Sequence, residues 1–160
     1  MAYSEEIAAC ITNYLDDKNW QYDFDTRREV IRTGIAIKNK LRYIDLFVDL
    51  RADRYSVYAR MRLGADDECR QQVLELINRI NYSMVAGNFE MDPANGDIRF
   101  RMAVNCDGLL PSRQVVAHSI MVPCAMMEKY GNAFAQVIMG MNDAAAAFAL
   151  ANDQPQGQTS

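Results

Sequence analysis

The chain has few of the residues from which catalytic and metal sites are built. Among its 160 residues there is one histidine, His118, and the four cysteines lie far apart without a C-x-x-C pair. A structural zinc site is usually four-coordinate, and a nucleophilic site pairs histidine with a serine, cysteine or carboxylate at a recognisable spacing. We therefore predict no metal site, no cofactor, no catalytic residues and four reduced thiols.

The chain also lacks a long apolar run and an excess of positive charge. No segment is long and apolar enough to span a bilayer, and the N-terminus has no basic start followed by an apolar core. The net charge of -4 argues against broad electrostatic capture of nucleic acid or anionic membrane. These absences predict a cytoplasmic protein that does not contact a membrane.

The clearest pattern that is present is alternation of apolar and polar residues, which is typical of half-buried β-strands. It occurs in residues 30–37, 41–50, 55–63, 86–92 and 97–105. The first three stretches are joined by short links. A turn at residues 39–40 places Ile35 opposite Ile44, and the next turn places Val48 opposite Val57, so that the apolar residues share one face. A slip by one residue would turn an apolar set toward solvent, so the pattern predicts the register.

The last two stretches predict a second hairpin. Residues 93–96 form its loop, and this loop places Phe89 opposite Phe100. Gly96 closes the loop and is expected to have a positive φ, which glycine adopts without steric cost.

Helical periodicity accounts for most of the remaining chain. Ser4 caps a helix that ends near residue 17 or 18, and Asp66 or Asp67 caps a second helix that ends before residue 81. Ser112 begins a long helical region. Pro123 lies inside that region and lacks the amide donor that a helix needs, so we expect a kink or two abutting helices.

Two segments are less regular. Residues 20–28 alternate briefly and form either a short strand or an extended lead-in. An Ala-rich helical extension begins at Asp143, and residues 151–160 have little to bury and are expected to be frayed or disordered. The sequence thus predicts one α+β domain over residues 1–141, followed by an extension and tail over residues 142–160. The domain has a five-stranded antiparallel sheet, a three-stranded meander plus a hairpin, with helices on one face in the order α-β-β-β-α-β-β-α.

This order of elements resembles the YbjN-like family, which is described as bacterial sensory transduction regulators and whose fold is related to type III secretion chaperones. The resemblance covers residues 4–141. Its most recognisable segments are Leu-Ile-Asn-Arg-Ile-Asn at 76–81, Gly-Asn-Phe at 87–89 and Ile-Arg-Phe-Arg at 98–101. The resemblance assigns no catalytic residue to this chain. What it implies is a non-enzymatic, often dimeric, protein-binding role.

The meander face opposite the predicted core is the candidate site. Register places Arg32 beside Phe47 and Phe47 beside Tyr58, with Asp45 and Asp49 between the cationic residues. One interpretation is an ordinary outer face, where cross-strand pairs only stabilise the sheet. The other is a partner surface, because aromatic residues and arginine are enriched at interface hot spots. The candidate partner surface consists of Arg32, Tyr43, Phe47, Tyr58, Arg60 and Arg62.

The same face allows a nucleic-acid alternative, in which bases stack on the aromatic rings and arginines meet phosphates. Asp45 and Asp49 oppose phosphate, and the chain has no RNA-recognition signature, so we expect no nucleic-acid partner. A small-ligand pocket beneath the long helix is a further alternative. Late methionines at helical spacing predict core filling more readily than a client groove. The sequence favours a protein-binding regulator or chaperone-like homodimer, and it does not name the client.

Overall fold

The computed structural model describes residues 2–153. Within this part of the chain there are four helices and six strands. The helices are α1 (Glu5–Asp17), α2 (Arg70–Tyr82), α3 (Arg113–Ile138) and α4 (Ala144–Asp153). The strands are β1 (Asp23–Asp25), β2 (Val30–Ala36), β3 (Tyr43–Leu50), β4 (Arg54–Met61), β5 (Asn88–Met91) and β6 (Ile98–Asn105). No helix within residues 2–153 combines the length and the hydropathy needed to cross a membrane.

The six strands form one antiparallel sheet in the order β1-β2-β3-β4-β6-β5. Ile35 lies opposite Ile44 and Phe89 lies opposite Phe100, and β3 pairs with β4 in the predicted register. Gly96 has a φ of 79°. The α+β class, the hairpin registers and the position of the glycine are therefore confirmed.

The sheet has one strand more than the five predicted. Residues 20–28 contain β1, which pairs with the start of β2 at the border of the sheet. The Asp25 carboxylate accepts hydrogen bonds from the backbone N–H groups of Arg27 and Arg28 at 3.1 and 3.0 Å, which turns the chain back into β2. A strand of three residues is too short for its alternation to distinguish it from an extended lead-in.

All four helices pack on the same face of the sheet, where two apolar clusters form the core. In one cluster Ile11 of α1 packs with Val48 of β3, and in the other Leu76 of α2 packs with Ile44. The long helix α3 contributes side chains to both clusters, and Trp20 packs against both. The opposite face of the sheet carries no helix of the described chain, so its residues meet solvent.

The predicted helix starts are largely confirmed. The hydroxyls of Ser4 and Ser112 each accept a hydrogen bond from the backbone N–H three residues later, at 3.2 Å. At α2 the N-cap residue is Cys69, whose side chain makes no capping bond. The Asp66 carboxylate instead accepts a hydrogen bond from the Cys69 N–H at 3.2 Å, so it caps the turn that leads into α2.

Helix α3 passes through Pro123 as one helix, so the alternative of two abutting helices is wrong. Pro123 and Ser119, which lies four residues before it, are both buried. The Ser119 hydroxyl donates to the carbonyl of Val116 at 2.7 Å and shares a 2.8 Å hydrogen bond with the Tyr55 hydroxyl of β4. Because both halves of α3 are buried against the same sheet, packing outweighs the one helical hydrogen bond that proline removes.

The Ala-rich extension is a packed helix. The Asp143 carboxylate accepts a hydrogen bond from the N–H of Ala146 at 2.8 Å, and Ala144 and Ala147 are buried in the core between α2 and α3. Residues 151–153 were expected to fray, but they complete α4. The expected disorder of residues 154–160 lies outside the described residues.

Candidate functional site

Strand register brings the six residues of the predicted partner surface onto the outer face of the sheet. Arg32, Phe47 and Tyr58 form one row across β2, β3 and β4. In the next row Asp45 lies opposite Arg60. The two aromatic side chains are half-buried and Arg60 is exposed, so the surface is accessible to a partner.

Tyr43 and Arg62 form a closed group at one end of this face. The Arg62 guanidinium donates two hydrogen bonds to Asp45, at 3.0 and 3.1 Å, and lies 4.3 Å from the centroid of the Tyr43 ring. The hydrogen-bonded carboxylate raises the pKa of Arg62 above its ordinary value. Tyr43 in turn lies over Gly34, where an added Cβ would come within 2.0 Å of the tyrosine hydroxyl oxygen. These two predicted residues are therefore held by contacts within the face itself.

The structure adds three charged residues that sequence reasoning did not assign to this face. Glu90 of β5 forms ion pairs with Arg99 and Arg101 of β6, and the Arg99 guanidinium lies 4.3 Å from the centroid of the Tyr58 ring. The alternation of apolar and polar residues over 98–104 predicts that both arginine side chains point away from the core. Their position beside Tyr58 depends on the pairing of β4 with β6, which no short turn specifies.

At the centre of the face, a shallow depression of about 400 Å³ is lined by Phe47 and Tyr58 together with cationic side chains. The Arg60 guanidinium lies 5.4 Å from the centroid of the Phe47 ring. Register places Arg60 directly opposite Arg99, and like charges in that arrangement destabilise a sheet. We name this group, Arg32, Phe47, Tyr58, Arg60 and Arg99, the arginine platform.

Two carboxylates of the face are already paired, whereas Asp23 of β1 lies opposite Arg32 without an ion pair within the described residues. Asp45 binds Arg62, and the Asp49 carboxylate lies 3.1 Å from the guanidinium of Arg51. Within residues 2–153, neither Arg32 nor Arg60 has a carboxylate oxygen within 4.0 Å of its guanidinium nitrogens. Two positive charges beside Phe47 therefore have no ion-pair partner in the described chain.

Buried hydroxyl and thiol groups elsewhere do not form a reactive site. Desolvation raises the pKa of Tyr55 to about 12 and that of the Cys124 thiol to about 11, so both stay protonated near neutral pH. All four cysteines are free thiols. Among residues 2–153, no three histidine, cysteine or acidic side chains cluster as a metal site. The exposed His118 lies on α3 beside a shallow cavity that is also lined by Val85 and Lys129.

The late methionines divide between core and surface. Met127 is buried in the core and Met126 is partly buried against it. Met121, Met139 and Met141 are exposed. The core-filling interpretation therefore holds for the first two and is wrong for the other three, because Met121 lies outside the buried stripe of α3 and the other two follow the end of that helix.

Comparison with known proteins decides the family. A family model described as "Putative bacterial sensory transduction regulator" matches residues 8–136, which is more than half of the chain. The chain belongs to the YbjN family. The match spans all six strands, so the outer face lies within the part that defines YbjN membership.

A solved structure supports the same fold. The "Crystal structure of YbjN, a putative transcription regulator from E. coli" is similar to this chain with a TM-score of 0.56. The alignment covers 76% of this chain and 85% of that chain, at 10% sequence identity. At such low identity the likeness shows the fold alone. No curated protein matches the chain significantly. YbjN membership thus places the protein in a bacterial regulator family without assigning a role to any residue.

Proposed function

We propose that this YbjN-family protein is a non-enzymatic regulator that works by binding another protein through the outer face of its sheet. The arginine platform is the observation that carries the proposal. It places two half-buried aromatic rings and three guanidiniums at the centre of an otherwise uncovered face. A few hot-spot residues supply most of the binding energy at protein interfaces, and tyrosine and arginine are enriched among them.

The contacts within the platform support this function because they orient its side chains before a partner arrives. Arg60 lies over Phe47 and Arg99 lies over Tyr58, so neither guanidinium is free to sample all of its rotamers. A side chain that is ordered in advance loses less conformational entropy on binding. These two contacts favour rotamers that keep the guanidiniums beside the aromatic rings.

The proposal includes a homodimer in the cytoplasm. Large apolar side chains remain exposed on the helices and loops, away from the outer face. They include Leu74, Tyr82, Val85, Leu109, Leu110, Val115 and Met121. A second copy that covers part of this apolar surface would remove it from water.

Co-purification from native lysate tests the proposed surface. The tagged double variant Phe47→Ser/Tyr58→Ser is compared with the wild-type chain and with Tyr82→Ser, which removes an exposed aromatic ring outside the sheet and serves as the control once light scattering shows that it keeps the mass of the wild type. We expect the double variant to remain folded by circular dichroism and to lose the partners that the wild type and the control retain. A folded double variant that keeps its partners would overturn the proposal. If the double variant is unfolded, each single substitution provides the same comparison.

Nucleic acid is the second candidate. The negative charges of Asp45 and Asp49 would repel phosphate, but Arg62 and Arg51 neutralise them. The structure therefore supports nucleic-acid binding more than the sequence alone does. Fluorescence anisotropy with a labelled single-stranded oligouridine at moderate salt tests it directly. Binding that is weaker for the Phe47→Ser/Tyr58→Ser variant would favour base stacking on this face.

A further inference from the structure

Arg60 is the residue from which the chemistry of the partner can be inferred. It lies at the centre of the sheet on β4, directly opposite Arg99 of β6. Asp53 and Cys106 form a hydrogen-bonded pair, because the Cys106 N–H donates to the Asp53 carbonyl. Hydrogen-bonded and non-hydrogen-bonded pairs alternate from there along β4 and β6, which makes Arg60 and Arg99 a non-hydrogen-bonded pair. Side chains are closest in such pairs, so the two guanidinium stems are neighbours.

The chain does not neutralise Arg60, although it neutralises Arg62, Arg99 and Arg101. Asp45 is its cross-strand neighbour on β3, but both oxygens of that carboxylate accept hydrogen bonds from Arg62. Glu90 pairs with Arg99 and Arg101. Arg60 instead lies over the Phe47 ring at 5.4 Å from its centroid, and its N–H groups have no carboxylate partner within the described residues. Those donors are suited to an oxygen anion supplied from outside the chain.

We propose that the outer face binds an acidic segment of the partner protein, in which a carboxylate is held by Arg60 above Phe47. This inference rests on the proposed function and specifies the chemistry of the partner. Arg32, which lies beside Phe47 in the same row, supplies a second positive charge, which the neighbouring Asp23 and Asp25 of β1 reduce in part. The apolar floor of the depression contacts the methylene groups of the bound side chain.

The charges around the platform favour isolated carboxylates over a continuous polyanion. Asp49 lines the central depression, while Glu90, Asp92 and Asp97 line a second depression on the other side of Arg60. A phosphate backbone that crossed Arg60 would meet Asp92 and Asp97, which, unlike Asp49 and Glu90, form no ion pair within the described residues. A peptide whose acidic residues are separated by apolar ones can place a carboxylate at Arg60 and neutral side chains beside the acids.

Binding of a defined peptide tests the inference. The probe is fluorescein-labelled Glu-Val-Glu-Phe-Glu-Val-Glu, and its matched control has glutamine at every glutamate. Arg60→Gln is compared with Arg62→Gln, which removes the same charge from the same face at a guanidinium that is already paired. We expect Arg60→Gln to weaken binding of the glutamate peptide roughly tenfold, and Arg62→Gln to weaken it less than about twofold. Against the Arg60→Gln variant, the preference for the glutamate peptide over the glutamine peptide should fall by the same factor.

Several results would overturn the inference. These are no binding of the glutamate peptide to the wild type, equal weakening by the two variants, or tighter binding of a single-stranded oligouridine than of the peptide. Arg60→Lys keeps the charge but loses the planar donors, and we expect its affinity to lie between those of the wild type and Arg60→Gln.

The proposed function can survive failure of this inference. If Phe47→Ser/Tyr58→Ser loses its co-purified partners while Arg60→Gln keeps them, the outer face binds a partner without an acidic contact at Arg60. If both variants keep them, both proposals fail.

Discussion

Gly96 and Gly108 have nearly the same backbone conformation in very different surroundings. Their φ angles are 79° and 78°. A Cβ added to Gly96 would lie 1.9 Å from the carbonyl oxygen of Ala65, whereas a Cβ added to Gly108 would meet nothing within 4 Å. The two positions therefore separate the cost of a left-handed backbone from the cost of a collision with another part of the chain.

Gly96→Val should destabilise the protein more than Gly108→Val does. The backbone conformation alone costs about 1–2 kcal/mol for a residue with a Cβ, and both variants carry this cost. The collision with Ala65 should add a further amount of about 1–3 kcal/mol to Gly96→Val. Urea unfolding followed by circular dichroism measures both changes. Equal midpoints for the two variants would mean that the Ala65 carbonyl moves aside without cost.

At the scale of secondary-structure elements, the outer edge of β5 is closed by a side chain. The side-chain amide of Asn81 in α2 donates a hydrogen bond to the carbonyl of Phe89 and accepts one from the Phe89 N–H, both at 2.9 Å. These are the backbone groups that would otherwise pair with a further strand. Asn81 thus joins the end of α2 to the hairpin that follows it.

Asn81→Ala should cost stability that Asn78→Ala does not. The first substitution leaves the N–H of the buried Phe89 without a partner, while the Phe89 carbonyl keeps only the 3.3 Å hydrogen bond from the Asn88 side-chain amide, and the expected cost is about 1–3 kcal/mol. Asn78 is exposed on the same helix, and its replacement should change the free energy of unfolding by about 0.5 kcal/mol or less. Thermal unfolding of the two variants provides the comparison. Identical melting temperatures would show that water replaces the Asn81 amide without loss.

The elements that sequence predicted correctly are those whose contacts are local. Short turns set the registers of the meander and of the last hairpin, because alternation allows only one pairing that buries each apolar set. The pairing of β4 with β6 has no such turn, since α2 and β5 intervene. Sequence therefore placed Arg60 on the outer face but did not bring Arg99 beside it. The continuity of α3 through Pro123 depends likewise on tertiary packing.

At the scale of the whole molecule, the uncovered apolar side chains of the helices and loops lead to a prediction about association. We expect a homodimer in dilute buffer, with twice the chain mass of 18.2 kDa. Burial of exposed residues such as Val85 and Leu109 would supply the driving force. Size exclusion with light scattering measures the mass over a range of micromolar concentrations. A monomer mass throughout that range would remove the dimer from the proposed function.

Trp20 gives the two apolar clusters a shared reporter. It is the only tryptophan in the chain, and its side chain packs both against the cluster around α1 and against the cluster around α2. Its intrinsic emission therefore responds when either half of the interior opens to water. If the halves separate at different denaturant concentrations, the emission of one native indole records two steps. If they separate together, it records one, so the cooperativity of the interior can be measured without attaching a dye.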